Sequence, residues 1–361
     1  MPKKKNIRVI DLFCGIGGIT RGFVDEWFRV VAGIDIMEGC KFGYEANNSG
    51  AQFIHKDIRD VTPEELNKHY WEDCDMKILV GCAPCQPFSG MNNNKGDYFY
   101  DSDKANSRSP LDKFAELVES IKPDIVSMEN VANLMNETKY PAFSHFLETL
   151  KKNWYTVDYK VVDASAYWVP QKRKRLVLLA SRLGEIKLIP PTHEKPVTVR
   201  ETIGGLPKMG IGETHPSDRY HRTQQMSNLN KERIKWIPKD GGNLTKAPEH
   251  LIPECHKKGT GKSYSHGVYA RMRWDEPSPT LTTLCLGIGN GRYGHPEQDR
   301  AISVREAALI QTFPMDYKFA EENEEYSSHD IAKYIGNAVP VKLGQAIAKS
   351  IRNHLQTHAS E

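Results

Sequence analysis

Strand-like and helix-like stretches alternate from the start of the chain. Ile7 to Phe13 is an apolar run of strand length, Thr20 to Trp27 has the spacing of an amphipathic helix, and Phe28 to Ile34 reads as a second strand. Met37 to Asn47 predicts a helix, Gln52 to His55 a short strand, and Pro63 to His69 a helix with proline in its first turn. Met76 to Gly81 predicts a fourth strand, followed by a long polar loop, a helix from about Leu111 to Ile121 and a strand from Ile125 to Glu129. Pro141 to Asn153 reads as a helix, and Tyr155 to Val162 with Leu176 to Ser181 as a hairpin of antiparallel strands. Such alternation implies an α/β fold with a doubly wound, mainly parallel sheet.

From about Leu188 to Pro279 the pattern breaks. Gly, Pro, His and Lys are frequent there and periodicity is weak. A helix from Val304 to Gln311 and a last one from Pro340 to about His354 then resume the pattern, and the apolar face of the last is expected to pack against the first domain. The expected division is a catalytic domain over 1–186, a smaller irregular domain over 187–300 and a returning segment over 301–361.

Charge sharpens that division. Between Lys195 and Lys262 there are 13 Lys and Arg against 7 Asp and Glu, whereas the whole chain carries only +3. A basic middle in an otherwise mildly acidic chain points to a polyanionic partner, although a solvated basic surface would read the same way. No run approaches the roughly 20 apolar residues of a membrane span. Seven cysteines, odd in number and irregular in spacing, argue against a secreted disulfide framework. The expectation is a cytoplasmic protein acting as a monomer, with no membrane contact and no metal.

The unusual residues fall at the ends of the predicted strands. Gly15-Ile16-Gly17-Gly18 follows the first, Asp35 ends the second, Asp57 follows the third, Cys85 follows the fourth and Glu129 ends the fifth. Open α/β sheets bind ligands along that carboxyl edge. The glycine-rich turn offers close backbone approach and free amides at a helix start, suited to an anionic group. Thr20 stands where a dinucleotide fingerprint needs its last glycine, which disfavours nicotinamide. Asp35 is placed to accept from ribose hydroxyls and Asp57 from an adenine amino group; singly, each would read as a turn or cap residue. Together they describe an adenosine-containing ligand with a small anionic end.

Cys85 has Pro84 before it and Pro87 two residues after it, which restricts the backbone and aims the thiol. Cysteine is more often a small buried apolar residue than a nucleophile. Cys82 and Cys85 also have the spacing of a redox pair or half a zinc knuckle, but no second such pair completes a zinc site. The polar stretch from Phe88 to Ser109 beside Cys85 reads as a lid. Arg173 and Arg175, at alternate positions in the hairpin tip, can point to one side of an extended strand.

This set of motifs resembles the DNA (cytosine-5)-methyltransferases. The resemblance rests on Asp11 to Gly18, Ala83-Pro84-Cys85-Gln86, Glu129-Asn130-Val131, Gln171 to Arg175, Arg305 to Ala308 with Gln311 to Pro314, and Gly336 to Pro340, six motifs in family order and spacing. It implies a seven-stranded Rossmann-like catalytic domain, S-adenosyl-L-methionine as cofactor and double-stranded DNA as partner. By the same resemblance, Cys85 adds to carbon 6 of a flipped cytosine, Glu129 holds ring nitrogen 3, Arg175 contacts the pyrimidine carbonyl and Arg173 assists. Gln86, Ser89 and Arg108 belong to the lid and the DNA contact, and Thr280 lies near a phosphate. Phe13 covers the adenine, Asp35 binds the ribose, Asp57 and Ile58 meet the adenine edge, and Pro84, Leu111, Asn337 and Val339 complete the pocket. Ile36 stands where members often carry a large aromatic residue, and Ser109-Pro110 replaces the usual glycine-containing step after the lid arginine.

Three rivals stay open at this stage. A tRNA cytosine-5 methyltransferase of the same family carries a Cys-Phe-Thr tripeptide that is absent here. A silent DNA-binding module would lack the nucleophile or the acid. A dithiol oxidoreductase would need Cys82, so that Cys82→Ser abolishes activity, whereas the methyltransferase reading makes that change mild and Cys85→Ser fatal. The biological role expected is modification beside a cognate restriction endonuclease, or a solitary or phage-encoded methylase.

Overall fold

The computed structural model describes residues 5–84, 109–136, 140–257 and 267–358. The chain divides into two compact units, one of 1–163, 174–192 and 341–361 and one of 164–173 and 193–340. Residues 301–340 thus group with the irregular middle of the chain, and only the last helix groups with the amino-terminal part.

In the first unit five strands run parallel: β1 (Ile7–Leu12), β2 (Arg29–Asp35), β3 (Gln52–His55), β4 (Met76–Gly81) and β5 (Ile125–Val131). The chain then forms β6 (Thr156–Asp163), crosses the second unit through the two-residue β7 (Gln171–Lys172) and returns as β8 (Lys174–Ser181). Strand β8 lies antiparallel between β5 and β6, giving the order β3-β2-β1-β4-β5-β8-β6. The hairpin expected from the apolar pattern is present, and its second strand is the one inserted against β5.

Local chemistry sets the helices between these strands. They are α1 (Gly18–Asp25), α2 (Lys41–Asn47), α3 (Pro63–Tyr70), α4 (Pro110–Ile121) and α5 (Pro141–Lys152). Thr62 caps α3, its side chain accepting from the Glu65 amide, and Pro63 occupies the first turn, where its missing N–H loses nothing. Ser109 opens α4 with a capping box: its hydroxyl accepts from the Asp112 amide, and the Asp112 carboxylate accepts from the Ser109 amide. Ser109-Pro110 is therefore a helix start. The single helix expected over Met37 to Asn47 is instead a 3-10 turn, Glu38–Cys40, followed by α2.

Side chains from β1, β4, β5 and β8 pack with Phe114, Leu117, Phe143 and Phe146 of α4 and α5 in one continuous core. On the other face α1 lies against the C-terminal helix, Val341–Thr357, so closely that a Cβ on Gly22 would meet the Gly344 backbone at 2.6 Å. That contact is the expected return of the last helix to the first domain.

The second unit has short elements: α6 (Val199–Ile203), β9 (Thr214–His215), β10 (Asp218–Arg222), α7 (Asn228–Trp236), α8 (Glu254–Lys257), β11 (Ser278–Pro279), α9 (Val304–Ile310) and α10 (Ser328–Asn337). One apolar cluster forms around Ile234, Leu244, Leu251 and Ile288, and the rings of Tyr220, Phe313, Tyr317 and Phe319 pack on one another elsewhere in the unit. Buried arginines supply order that regular structure does not. Arg271 donates to the carbonyls of Ile234, Ile237 and His295, and Arg300 makes a two-pronged pair with Glu306 at 2.7 and 2.8 Å.

Candidate active site

The carboxyl ends of β1 to β5 lie on one edge of the first unit, so the turn after β1, Asp35, Asp57, Pro84 and Glu129 are gathered there. Gly15 and Gly17 both have positive φ, which the turn from β1 into α1 requires. Gly17 caps α1 with no side-chain acceptor, leaving the amides of the first turn for a ligand. Ile16 is buried beneath the turn, and Gly18 is the first helical residue.

Both oxygens of Asp35 are held by backbone amides, Oδ2 by Gly15 at 2.8 Å and Oδ1 by Met37 at 2.8 Å. Burial pushes this carboxyl above its ordinary range, against the lowering effect of those amides. Asp57 caps the turn at Ile58, and Arg59 closes on its carboxylate, which holds the carboxyl below the usual value. Ile58 and Leu111 are buried in the core, Phe13 packs at its margin 6.5 Å from the Phe114 ring, and Ile36 and Pro84 are exposed.

Glu129 is the buried acid of the edge. Arg175, at the start of β8, reaches it through the β5–β8 pairing, with Nε 3.0 Å from Oε1. Cys82 Sγ donates to Oε2 at 2.8 Å. The next residue, Asn130, donates from Nδ2 to the Ala83 carbonyl at 3.0 Å, tying the end of β5 to the turn that leads into Pro84 and Cys85. Sequence reasoning missed both of these links. In the sequence Cys82 reads as half of a redox pair or of a zinc knuckle, and its nearness to Glu129 depends on strand register. Cys85, Gln86, Ser89 and Arg108 lie outside the described residues.

The remaining predicted residues belong to the second unit. Arg173 is buried there and donates to the carbonyls of Leu281, Gly336 and Ala338 at 3.1, 3.3 and 3.4 Å. Thr280 donates its hydroxyl to the Lys172 carbonyl at 2.7 Å. Asn337 ends α10 and is exposed, whereas Val339 is buried.

In the first unit, an uncapped helix start, a left-handed glycine turn and a carboxylate one strand away fit the anionic tail and ribose of S-adenosylmethionine. Among the described residues no three His, Cys, Asp or Glu side chains cluster as a metal site, and no helix is long and apolar enough to cross a membrane.

The family model for C-5 cytosine-specific DNA methylases matches residues 7–353. The type II methylase M.HgiDII of Herpetosiphon aurantiacus is 47% identical over 351 residues, covering 96% of each chain. The type II methyltransferase M1.HphI of Haemophilus parahaemolyticus is 30% identical, over 96% of this chain and 87% of its own. Among solved structures, a putative DNA modification methyltransferase encoded within an E. coli prophage aligns with a TM-score of 0.67 at 23% identity, over 97% of this chain and 99% of its own. A Spodoptera frugiperda DNMT2 mutant aligns at 0.60 and 17%, over 96% and 99%. At these identities the two structures speak for the fold alone.

Proposed function

The chain belongs to the C-5 cytosine-specific DNA methylases, and from that premise we propose that it works through a covalent Cys85 adduct on a cytosine turned out of the duplex. It is an S-adenosylmethionine-dependent DNA (cytosine-5)-methyltransferase. The observation that carries the mechanistic reading is the buried Glu129 carboxyl group, paired with Arg175 at the edge where the chain turns toward Cys85.

Carbon 5 of cytosine is a weak nucleophile, and the site must make it a stronger one. The Cys85 sulfur bonds to carbon 6 while Glu129 shares a proton with ring nitrogen 3, so that the ring electrons collect at carbon 5. Arg175 faces the pyrimidine carbonyl and balances charge on that side. A free thiol has a pKa of about 8.5, and nearby cationic charge raises its thiolate fraction at neutral pH. The glycine turn, Asp35, Ile36, Asp57 and Ile58 hold the cofactor, with Phe13, Pro84 and Leu111 beside them. When bound, S-adenosylmethionine supplies the methyl electrophile on its sulfonium sulfur. Transfer of the carbon 5 proton to water, with breakage of the sulfur–carbon 6 bond and return of the shared proton to Glu129, then restores the aromatic ring and the Cys85 thiolate.

Turning the base out requires a few kcal/mol of unstacking and unpairing. Gln86, Ser89 and Arg108 contact the displaced nucleotide, Arg173 supports the site, and Thr280 lies at a phosphate. The basic middle of the chain reads the target sequence. Similarity to type II methylases over almost the full length supports a role in modification beside a restriction endonuclease; action as a monomer in the cytoplasm is part of the same proposal.

Transfer of tritium from labelled S-adenosylmethionine into unmethylated duplex DNA and, in parallel, bulk tRNA tests the proposal. Label is expected in DNA as 5-methylcytosine. Cys85→Ser is expected to remove it, and Glu129→Gln to slow it by about a hundred-fold. Label in tRNA alone, or undiminished transfer by Cys85→Ser, would overturn the reading.

A further inference from the structure

Cys82 directly follows β4, and its neighbour across the sheet is set by register. Gly81 pairs with Met128 in the parallel β4–β5 ladder, which brings the following residues, Cys82 and Glu129, side by side. The thiol donates to Oε2 of Glu129 at 2.8 Å. The other oxygen is in a different situation: Arg175 Nε faces Oε1 at 3.0 Å as an ion pair, yet Oε1 has no hydrogen-bond partner among the described residues. One carboxyl oxygen is thus occupied, and the other is buried with a charge beside it and hydrogen-bonding capacity in reserve.

We propose that Cys82 is a positioning residue for Glu129: its thiol takes Oε2, fixes the plane of the carboxyl group and leaves Oε1 as the oxygen that meets ring nitrogen 3 of cytosine. This rests on Glu129 being the group that contacts the base. The terminal torsion of a glutamate is broad, so an acid without such a partner spreads over orientations of which only some are productive. Removing a donor to a buried carboxyl oxygen also leaves that oxygen unsatisfied. Cys82 forms no bond to carbon and takes no part in electron transfer. The backbone around it has its own anchor in the Asn130 bond to the Ala83 carbonyl, so a smaller side chain at position 82 leaves the turn in place.

The test is single-turnover methyl transfer to duplex DNA by wild type, Cys82→Ala, Cys82→Ser, Glu129→Gln and the Cys82→Ala/Glu129→Gln double variant. Rates are read from about pH 6 to about pH 9. Among the described residues, Arg175 and Cys82 are seen to face Glu129, from β8 and from the end of β4. Cys82→Ala is expected to lower the rate about ten-fold, the loss of one hydrogen bond to a charged group. It leaves the KM for S-adenosylmethionine unchanged and displaces the pH profile. Cys82→Ser, which keeps a donor, returns the rate to within about two-fold of wild type. In the Glu129→Gln background Cys82→Ala has no further effect.

A Cys82→Ala enzyme with wild-type rate and pH profile overturns the proposal, as does a Cys82→Ser enzyme as slow as Cys82→Ala, or an undiminished effect in the Glu129→Gln background. If Cys82→Ala is at wild-type speed while Glu129→Gln is slow, only the positioning role falls. If wild type transfers no methyl group to DNA, or Glu129→Gln is at full speed, the reading beneath it falls as well.

Discussion

Asp11 sits beneath the glycine turn, fully buried, with Oδ2 accepting from the Thr20 hydroxyl at 2.6 Å and Oδ1 without a hydrogen-bond partner among the described residues. Burial pushes its carboxyl up to about 8, and the nearby Asp35 charge adds to the shift. A folded-state pKa above the unfolded one means that the folded protein holds the extra proton between about pH 4 and pH 8. The stability this contributes is complete below about pH 4 and is lost as pH rises through 8. Urea denaturation at a series of pH values should show unfolding free energy falling by more than about 1 kcal/mol across that window, with a flatter curve for Asp11→Asn. At this scale the sequence was legible where a residue's role is local. Asp35 and Glu129 stand at strand ends that the apolar pattern already marks. The Cys82–Glu129 link was not legible, because it joins residues 47 positions apart through strand register. The alternation argument that put Arg173 beside Arg175 assumes one continuous strand. The chain instead changes partners there, β7 pairing with β11 and β8 with β5 and β6, so each arginine answers to different neighbours.

At the scale of elements, two helices end in the same way. In α1 the Phe28 amide donates to the Phe23 carbonyl and the Trp27 amide to Val24; in α5 the Tyr155 amide donates to Leu150 and the Trp154 amide to Lys151. This is the Schellman pattern, which puts the residue just beyond the helix in a left-handed conformation. Trp27 and Trp154 occupy that position, each with φ of 66°, and their side chains are almost wholly exposed. A bulky residue there carries strain of roughly 1 kcal/mol that glycine does not. Trp27→Gly and Trp154→Gly are each expected to raise the thermal midpoint by about 2–4 °C in a calorimetric scan, with no change in methyl transfer. An unchanged or lower midpoint would mean that the exposed rings make contacts that offset the strain. Two helix starts were legible, since Thr62-Pro63 and Ser109-Pro110-Leu111-Asp112 carry their capping chemistry in sequence. The helix ends break the usual glycine signal, which is why the Thr20 to Trp27 reading ran two residues past Asp25.

At the scale of the whole molecule, the alternating pattern gave away the layered first unit, including the hairpin, because each element buries its own apolar face. The second unit was readable only as irregular. Part of its order comes from buried charges such as Arg271, Arg300 and Glu306, whose partners lie far along the chain or depend on folded loops. Nothing in local periodicity separates 301–340 from the final helix, although the two belong to different units.

The central claim, that a covalent bond from Cys85 carries the reaction, meets its most direct test in a duplex whose target cytosine has fluorine in place of the carbon 5 hydrogen. Fluorine cannot leave as a proton does, so the sulfur–carbon 6 bond persists after methyl transfer. With S-adenosylmethionine present, wild type should give a denaturation-resistant protein–DNA complex, with the attachment mapping to Cys85 by mass spectrometry and the complex disappearing in Cys85→Ser. A complex that survives in Cys85→Ser, or active enzyme that forms none, would contradict the account.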